Sequence, residues 1–122
     1  MRLSTPLKLV FGHHTIYSGS PTHGDNPALI ARLAPILEAR GVTAYVCGHD
    51  HDLQHIRVGA VDYICAGAGS ESRKTGRRDG TLFAAAYPGF AVFSTTREGL
   101  KLAFRDTSGA TRYAATAPAR GG

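Results

Sequence analysis

The sequence predicts an α/β fold, a βαβ unit followed by a β-hairpin. Three observations point there. Apolar runs at residues 7–11 and 43–47 each end in glycine. An amphipathic helical segment lies between them. Beyond residue 89, two strand-like segments flank the turn residues Arg97, Glu98 and Gly99.

The first run, "LKLVF", reads as a short buried strand closed by Gly12. Residues 13–26 are rich in turn formers. Asn26 is a good helix N-cap, and Pro27 suits the first helical position. Leu29, Leu33, Ile36 and Leu37 then recur with helical spacing and predict one apolar face. Pro35 removes a backbone donor and is expected to kink the helix, and Gly41 to end it. Residues 43–47 form the second strand. Strand, helix and strand within about forty residues read as a right-handed crossover between parallel neighbours.

Residues 61–65 predict another strand, leading to the turn Gly67-Ala68-Gly69, and residues 70–80 a charged loop. The hairpin pairs residues 90–94 with 100–104. Leu100, Leu102 and Phe104 should face inward, with Lys101, Ala103 and Arg105 outward. A weaker strand is expected at 111–114, and residues 115–122 read as a frayed tail. No repeat or linker divides the chain, so residues 1–122 are expected to be a single partial domain.

Composition narrows the function classes. The chain has 122 residues, 43% of them hydrophobic, which suits one core or a piece of a larger domain. Cys47 and Cys65 both lie in apolar runs, where buried thiols are expected rather than a disulfide framework. The first fifteen residues lack the apolar segment of a signal peptide. No apolar run approaches the ~20 residues needed to span a bilayer, so no membrane partner is expected. Net charge is +5, with Arg73, Lys74, Arg77 and Arg78 clustered. Such a cluster is either a solvated basic loop or a guide for anionic partners. Nucleic acid is the weakest of those partners, because aromatics do not interleave with the basic residues and no recognition motif is present.

The histidines carry the chemistry. Three of the six fall within "CGHDHDLQH", at His49, His51 and His55. A second Gly-His occurs in "VFGHHTIYS", at His13. Both Gly-His pairs end predicted parallel strands, at the edge where open α/β sheets bind ligands. Neighbouring strands lie ~4.8 Å apart, so His13 and His49 should emerge side by side. Neutral imidazoles ligate zinc, iron, nickel or copper. If the segment is extended, His49 and His51 share one side with backbones about 7 Å apart. That spacing suits two ions roughly 3.5–4 Å apart better than one.

"LVFGHHTIYS", "HGDN", "GVTAYVCGHDHDLQHI" and "YICAGAGS" together resemble the C-terminal half of purple acid phosphatases. The tartrate-resistant type, within the calcineurin-like metallophosphoesterases, is the nearest in pattern. The resemblance covers roughly residues 5–105. It implies half of a four-layer αββα sandwich. It also implies a dinuclear centre, iron with iron, zinc or manganese, at which a metal-activated hydroxide attacks a phosphomonoester. By motif, His13 and His49 match the histidines on the divalent ion, and His51 matches the histidine on iron. His23 matches, with a one-residue shift, a loop histidine near the leaving oxygen. His14 and His55 match no ligand. Asp50 and Asp52 are expected to face solvent or to support the ligands. Family members are often secreted; the compartment of this chain stays open.

The family's Asp-x-Gly, Gly-Asp-x-x-Tyr and Gly-Asn-His motifs are missing. They supply the carboxylates, the colour-giving tyrosine and the asparagine. The chain is therefore expected to hold at most one divalent ion, to be inactive alone, and to associate with a missing N-terminal half or with itself. The alternative is a non-catalytic metal- or partner-binding remnant.

Overall fold

The structure, a computed structural model, describes residues 7–120. Strand β1 (Leu9–Phe11) is followed by two short helices, α1 (Pro27–Arg32) and α2 (Ala34–Ala39), and by β2 (Ala44–Cys47). Next come β3 (Leu53–Val58), β4 (Val61–Ala66) and β5 (Thr81–Ala85). The chain closes with β6 (Gly89–Thr95), β7 (Gly99–Asp106) and β8 (Thr111–Pro118). Five strands form a mixed sheet in the order β1-β2-β4-β3-β5, and three form the antiparallel sheet β6-β7-β8.

The expected βαβ unit is present. β1 and β2 are parallel neighbours with Phe11 opposite Val46. Their ladder continues beyond both strands. The Gly12 amide donates to the Val46 carbonyl, and the Gly48 amide to the His13 carbonyl, each at 3.0 Å. Gly12 is required by space: a Cβ there would lie 2.1 Å from the Tyr45 hydroxyl oxygen.

The crossover helix differs from expectation. It breaks at Leu33 into α1 and α2, and Pro35 lies in the first turn of α2 rather than at a kink. There its missing donor costs nothing, because first-turn amides have no helical partner. Asn26 caps α1 as predicted, its side chain accepting from the Leu29 amide at 3.1 Å. The break rotates the second segment, so Leu37 is buried while Ile36 is 54% exposed. Gly41 turns the chain out of α2 with φ 70°.

The helices cover one face of the five-stranded sheet through Ile16, Leu37, Tyr45, Ile56 and Tyr63. The other face packs Val46, Leu53 and Ile64 against Leu100, Leu102 and Phe104 of the second sheet. The expected inward set of β7 is therefore confirmed. The layers run helix, sheet, sheet, three of the four in the expected sandwich. The outer face of the three-stranded sheet is uncovered among the described residues, with Phe90 45% and Val92 40% exposed.

Two strands, β3 and β5, were not expected. The expected tail at 115–122 is also corrected. Residues 115–118 belong to β8, paired with β7 through Leu102 opposite Ala115 and Leu100 opposite Ala117. Alanine and proline are weak strand signals alone, and the pairing with β7 supplies what propensity does not. Arg120 is tied to Glu38 at 2.9 Å, and residues 121–122 lie outside the described residues. No helix among the described residues is long and apolar enough to cross a membrane.

Candidate metal centre

The two Gly-His turns meet as the topology requires. His13 Nε2 and His49 Nδ1 lie 3.3 Å apart, at the carboxyl ends of β1 and β2. His14, which matched no ligand, joins them. Its ring centroid is 4.5 Å from that of His49 and 4.9 Å from that of His13. One potential ligand atom from each of His13, His14 and His49 lies within 4.8 Å of the others. The Tyr45 hydroxyl donates to the His14 carbonyl at 2.8 Å and fixes this turn from below.

His49 has φ 68°, the one left-handed backbone among the described non-glycine residues. The segment is therefore not extended at this point, contrary to the geometry assumed for His-x-His. The turn separates the two imidazoles. His51 points to Glu71, with its Nδ1 3.0 Å from the carboxylate, and belongs neither to that group nor to a second one of His23, His49 and Asp50, whose ligand atoms also lie within 4.8 Å of one another. It still borders the cleft that His23, His49, Asp50 and Arg73 line. Nearby positive charge and loss of water both act on His49. Burial first, then His23 and His14, push its pKa below the ordinary histidine value of 6.5. A neutral imidazole is the form that binds metal.

His23 lies over His49, ring centroids 4.3 Å apart, although its sequence match needed a shift. Its Nδ1 contacts Asp50 Oδ1 at 2.5 Å. Asp50 also accepts a short hydrogen bond from the Ser18 hydroxyl. Asp50 and Asp52 are each 1% exposed, which corrects any solvent-facing reading of them. Asp52 accepts from Gln54 at 2.9 Å and from the Thr75 hydroxyl at 2.7 Å, anchoring the basic loop to the histidine turn. Burial raises its pKa, against those hydrogen bonds.

The histidine turn rests on a close-packed floor. The Cys65 thiol donates to the carbonyls of Gly48 and Asp50 at 3.3 and 3.4 Å. Both cysteines are free and buried, as expected. A Cβ on Gly67 would lie 2.0 Å from the Asp50 carbonyl oxygen, so only glycine fits there. Of the four clustered basic residues, Arg78 pairs with Asp25 and lies over the Tyr17 ring. Arg73 pairs with Glu71 at the rim of the cleft.

No family model matches the chain. Purple acid phosphatase 4 of Arabidopsis thaliana is 38% identical over 113 residues, covering 87% of this chain and 33% of that protein. Tartrate-resistant acid phosphatase type 5 of Sus scrofa is 32% identical over 123 aligned residues, covering 92% of this chain and 36% of that protein. This chain belongs with the C-terminal portion of the purple acid phosphatase family. Like those relatives, it has a metallophosphoesterase fold. The purple acid phosphatase PPD1 from yellow lupin seeds superposes with a TM-score of 0.76 at 15% identity, over 87% of this chain and 24% of the lupin chain; that likeness concerns the fold alone. The Plasmodium protein GAP50, described as the anchor in the inner membrane complex, superposes with a TM-score of 0.87 at 26% identity, over 93% of this chain and 36% of that one. The chain spans about a third of the length of these curated purple acid phosphatases.

Proposed function

We propose that this chain is the histidine-bearing portion of a metal-dependent phosphoester hydrolase of the acid phosphatase type, acting on phosphomonoesters. The observation that carries the reading is the 3.3 Å approach of His13 Nε2 and His49 Nδ1 across two strand ends. Zinc–nitrogen bonds of about 2.0–2.1 Å in a tetrahedral shell put ligand nitrogens about 3.3–3.4 Å apart. The donor set therefore fits a divalent ion of borderline softness. His13 and His49 would hold that ion, and His51, on the far side of the turn, would hold a second, iron in the family pattern. Bound ions supply a lowered water pKa and charge neutralisation on phosphate oxygens.

The chain's own residues account for the rest. Asp50 occupies His23 Nδ1, which leaves Nε2 to hold the proton destined for the leaving oxygen. Arg73, at the cleft rim, draws anionic substrate inward. Three imidazoles bring no negative charge to balance two ions, so the missing carboxylates must come from the remainder of the domain.

The test is hydrolysis of p-nitrophenyl phosphate at acidic and neutral pH with iron, zinc or manganese. The 122-residue chain alone should show no turnover. Adding the N-terminal portion of a purple acid phosphatase domain should restore turnover, and His49→Ala or His51→Ala should abolish it. Turnover by the chain alone would mean that the carboxylates are dispensable. A second reading, a non-catalytic partner-binding remnant, draws on the likeness to GAP50. It predicts a stable complex with that N-terminal portion and no turnover.

A further inference from the structure

We propose that the ion held by His13 and His49 takes His14 as its third protein ligand, making a three-histidine site for one zinc-like divalent ion. The inference rests on the metal-site reading of His13 and His49 and adds a donor that sequence matching passes over. Three observations carry it. The potential ligand atoms of these three side chains lie within 4.8 Å of one another, a group that excludes His51. The three rings converge, with centroid separations of 4.5, 4.9 and 5.2 Å. Their backbones are held independently of any ion. The His14 carbonyl is bonded to Tyr45, the His13 carbonyl to the Gly48 amide, and His49 is set in its left-handed turn.

Three histidines with one open position are a common zinc arrangement. Two of the nitrogens already have the spacing of a tetrahedral edge. The His14 ring is exposed, so it can rotate to close the third position without disturbing the core. His51 has another partner in Glu71. Both imidazoles of the dipeptide His13-His14 turn toward His49 because the chain bends at these two residues, just after β1.

The experiment is a titration of the 122-residue chain with Co2+, whose visible d–d bands report tetrahedral coordination, followed by competition with Zn2+. One ion per chain should bind with tetrahedral bands. His14→Ala should weaken binding by more than the roughly 10–100-fold typical of losing an outer-shell partner. A readout without mutation uses the ring 15N shifts of the intact chain on Zn2+ addition. His13, His14 and His49 should move, and His51 should not. Wild-type affinity in His14→Ala, or a His51 shift in place of His14, overturns the inference while leaving the proposed function standing. Absence of any bound ion overturns the inference and removes the support for the metal site itself.

Discussion

Asp62, 1% exposed, joins two strands and both sheets. It accepts from His55 Nε2 at 2.6 Å and from Arg57 at 2.7 and 2.9 Å, and His55 Nδ1 meets the Tyr113 hydroxyl of β8 at 2.8 Å. Burial pushes the Asp62 pKa up, but the hydrogen bonds from His55 and Arg57 outweigh it, so the net value falls below 3.8. A carboxylate depressed in the folded state contributes stability that is full above its unfolded value. That contribution is lost as pH falls through the folded one. The wild type should therefore lose stability below about pH 4 more steeply than Asp62→Asn, as urea melts across that range would record. Asp62→Ala at neutral pH should cost about 3–5 kcal/mol, because it strands a buried imidazole and a guanidinium. At this scale, sequence patterns identify His13 and His49, since Gly-His after an apolar run says where a strand stops. They do not identify His14 or the burial of Asp50. Those depend on which neighbours the folded chain delivers: His49 in one case, Ser18 and His23 in the other.

The strand β3 shows why some elements are hidden from pattern reading. Its residues 53–58, "LQHIRV", have no clean alternation, yet Gln54 is 1% and His55 0% exposed. Each polar side chain is satisfied, Gln54 by Ser18 and Asp52, His55 by Asp62 and Tyr113. Hydrogen bonding makes a buried polar strand tolerable, and no period-two rule anticipates it. The short β5, an edge strand with two alanines, gives little signal either. The helical segment, in contrast, was legible except at its break, because Asn26, Pro27 and Gly41 act locally. Next to β4, the turn after the strand is legible as a turn but not as a floor. Gly67→Ala would push a methyl against the Asp50 carbonyl. It should destabilise the chain by about 1–3 kcal/mol, as overpacking does. It should also weaken Zn2+ binding, since Asp50 carries the backbone between His49 and His51. Urea melts and zinc titration of the same variant would check both.

On the scale of the whole molecule, the second sheet turns an uncovered face outward. Its trough, about 370 Å³, is lined by Val92, Lys101, Ala103, Arg105, Ala114 and Thr116. Arg105 Nε is buried there without a hydrogen-bond partner among the described residues. Phe90 and Val92 add exposed apolar area on the same strand. Exposed large apolar side chains on an uncovered sheet face favour association. Sedimentation velocity of the isolated chain should show concentration-dependent self-association, reduced by Val92→Lys. A monomer that stays ideal at high concentration would count against it.

The other unfinished boundary is β1. It is an outermost strand of its sheet among the described residues, and it ends one glycine before His13. A polypeptide that extends the sheet along that edge would arrive beside the proposed metal ligands His13 and His49. If it brings a donor to the ion, the two equilibria share one coupling free energy, and coupling is reciprocal. The factor by which docking tightens the ion is then the factor by which the ion tightens docking. Metal concentration would set how much of the protein is assembled, and the amount of the completing polypeptide would set how much is metallated.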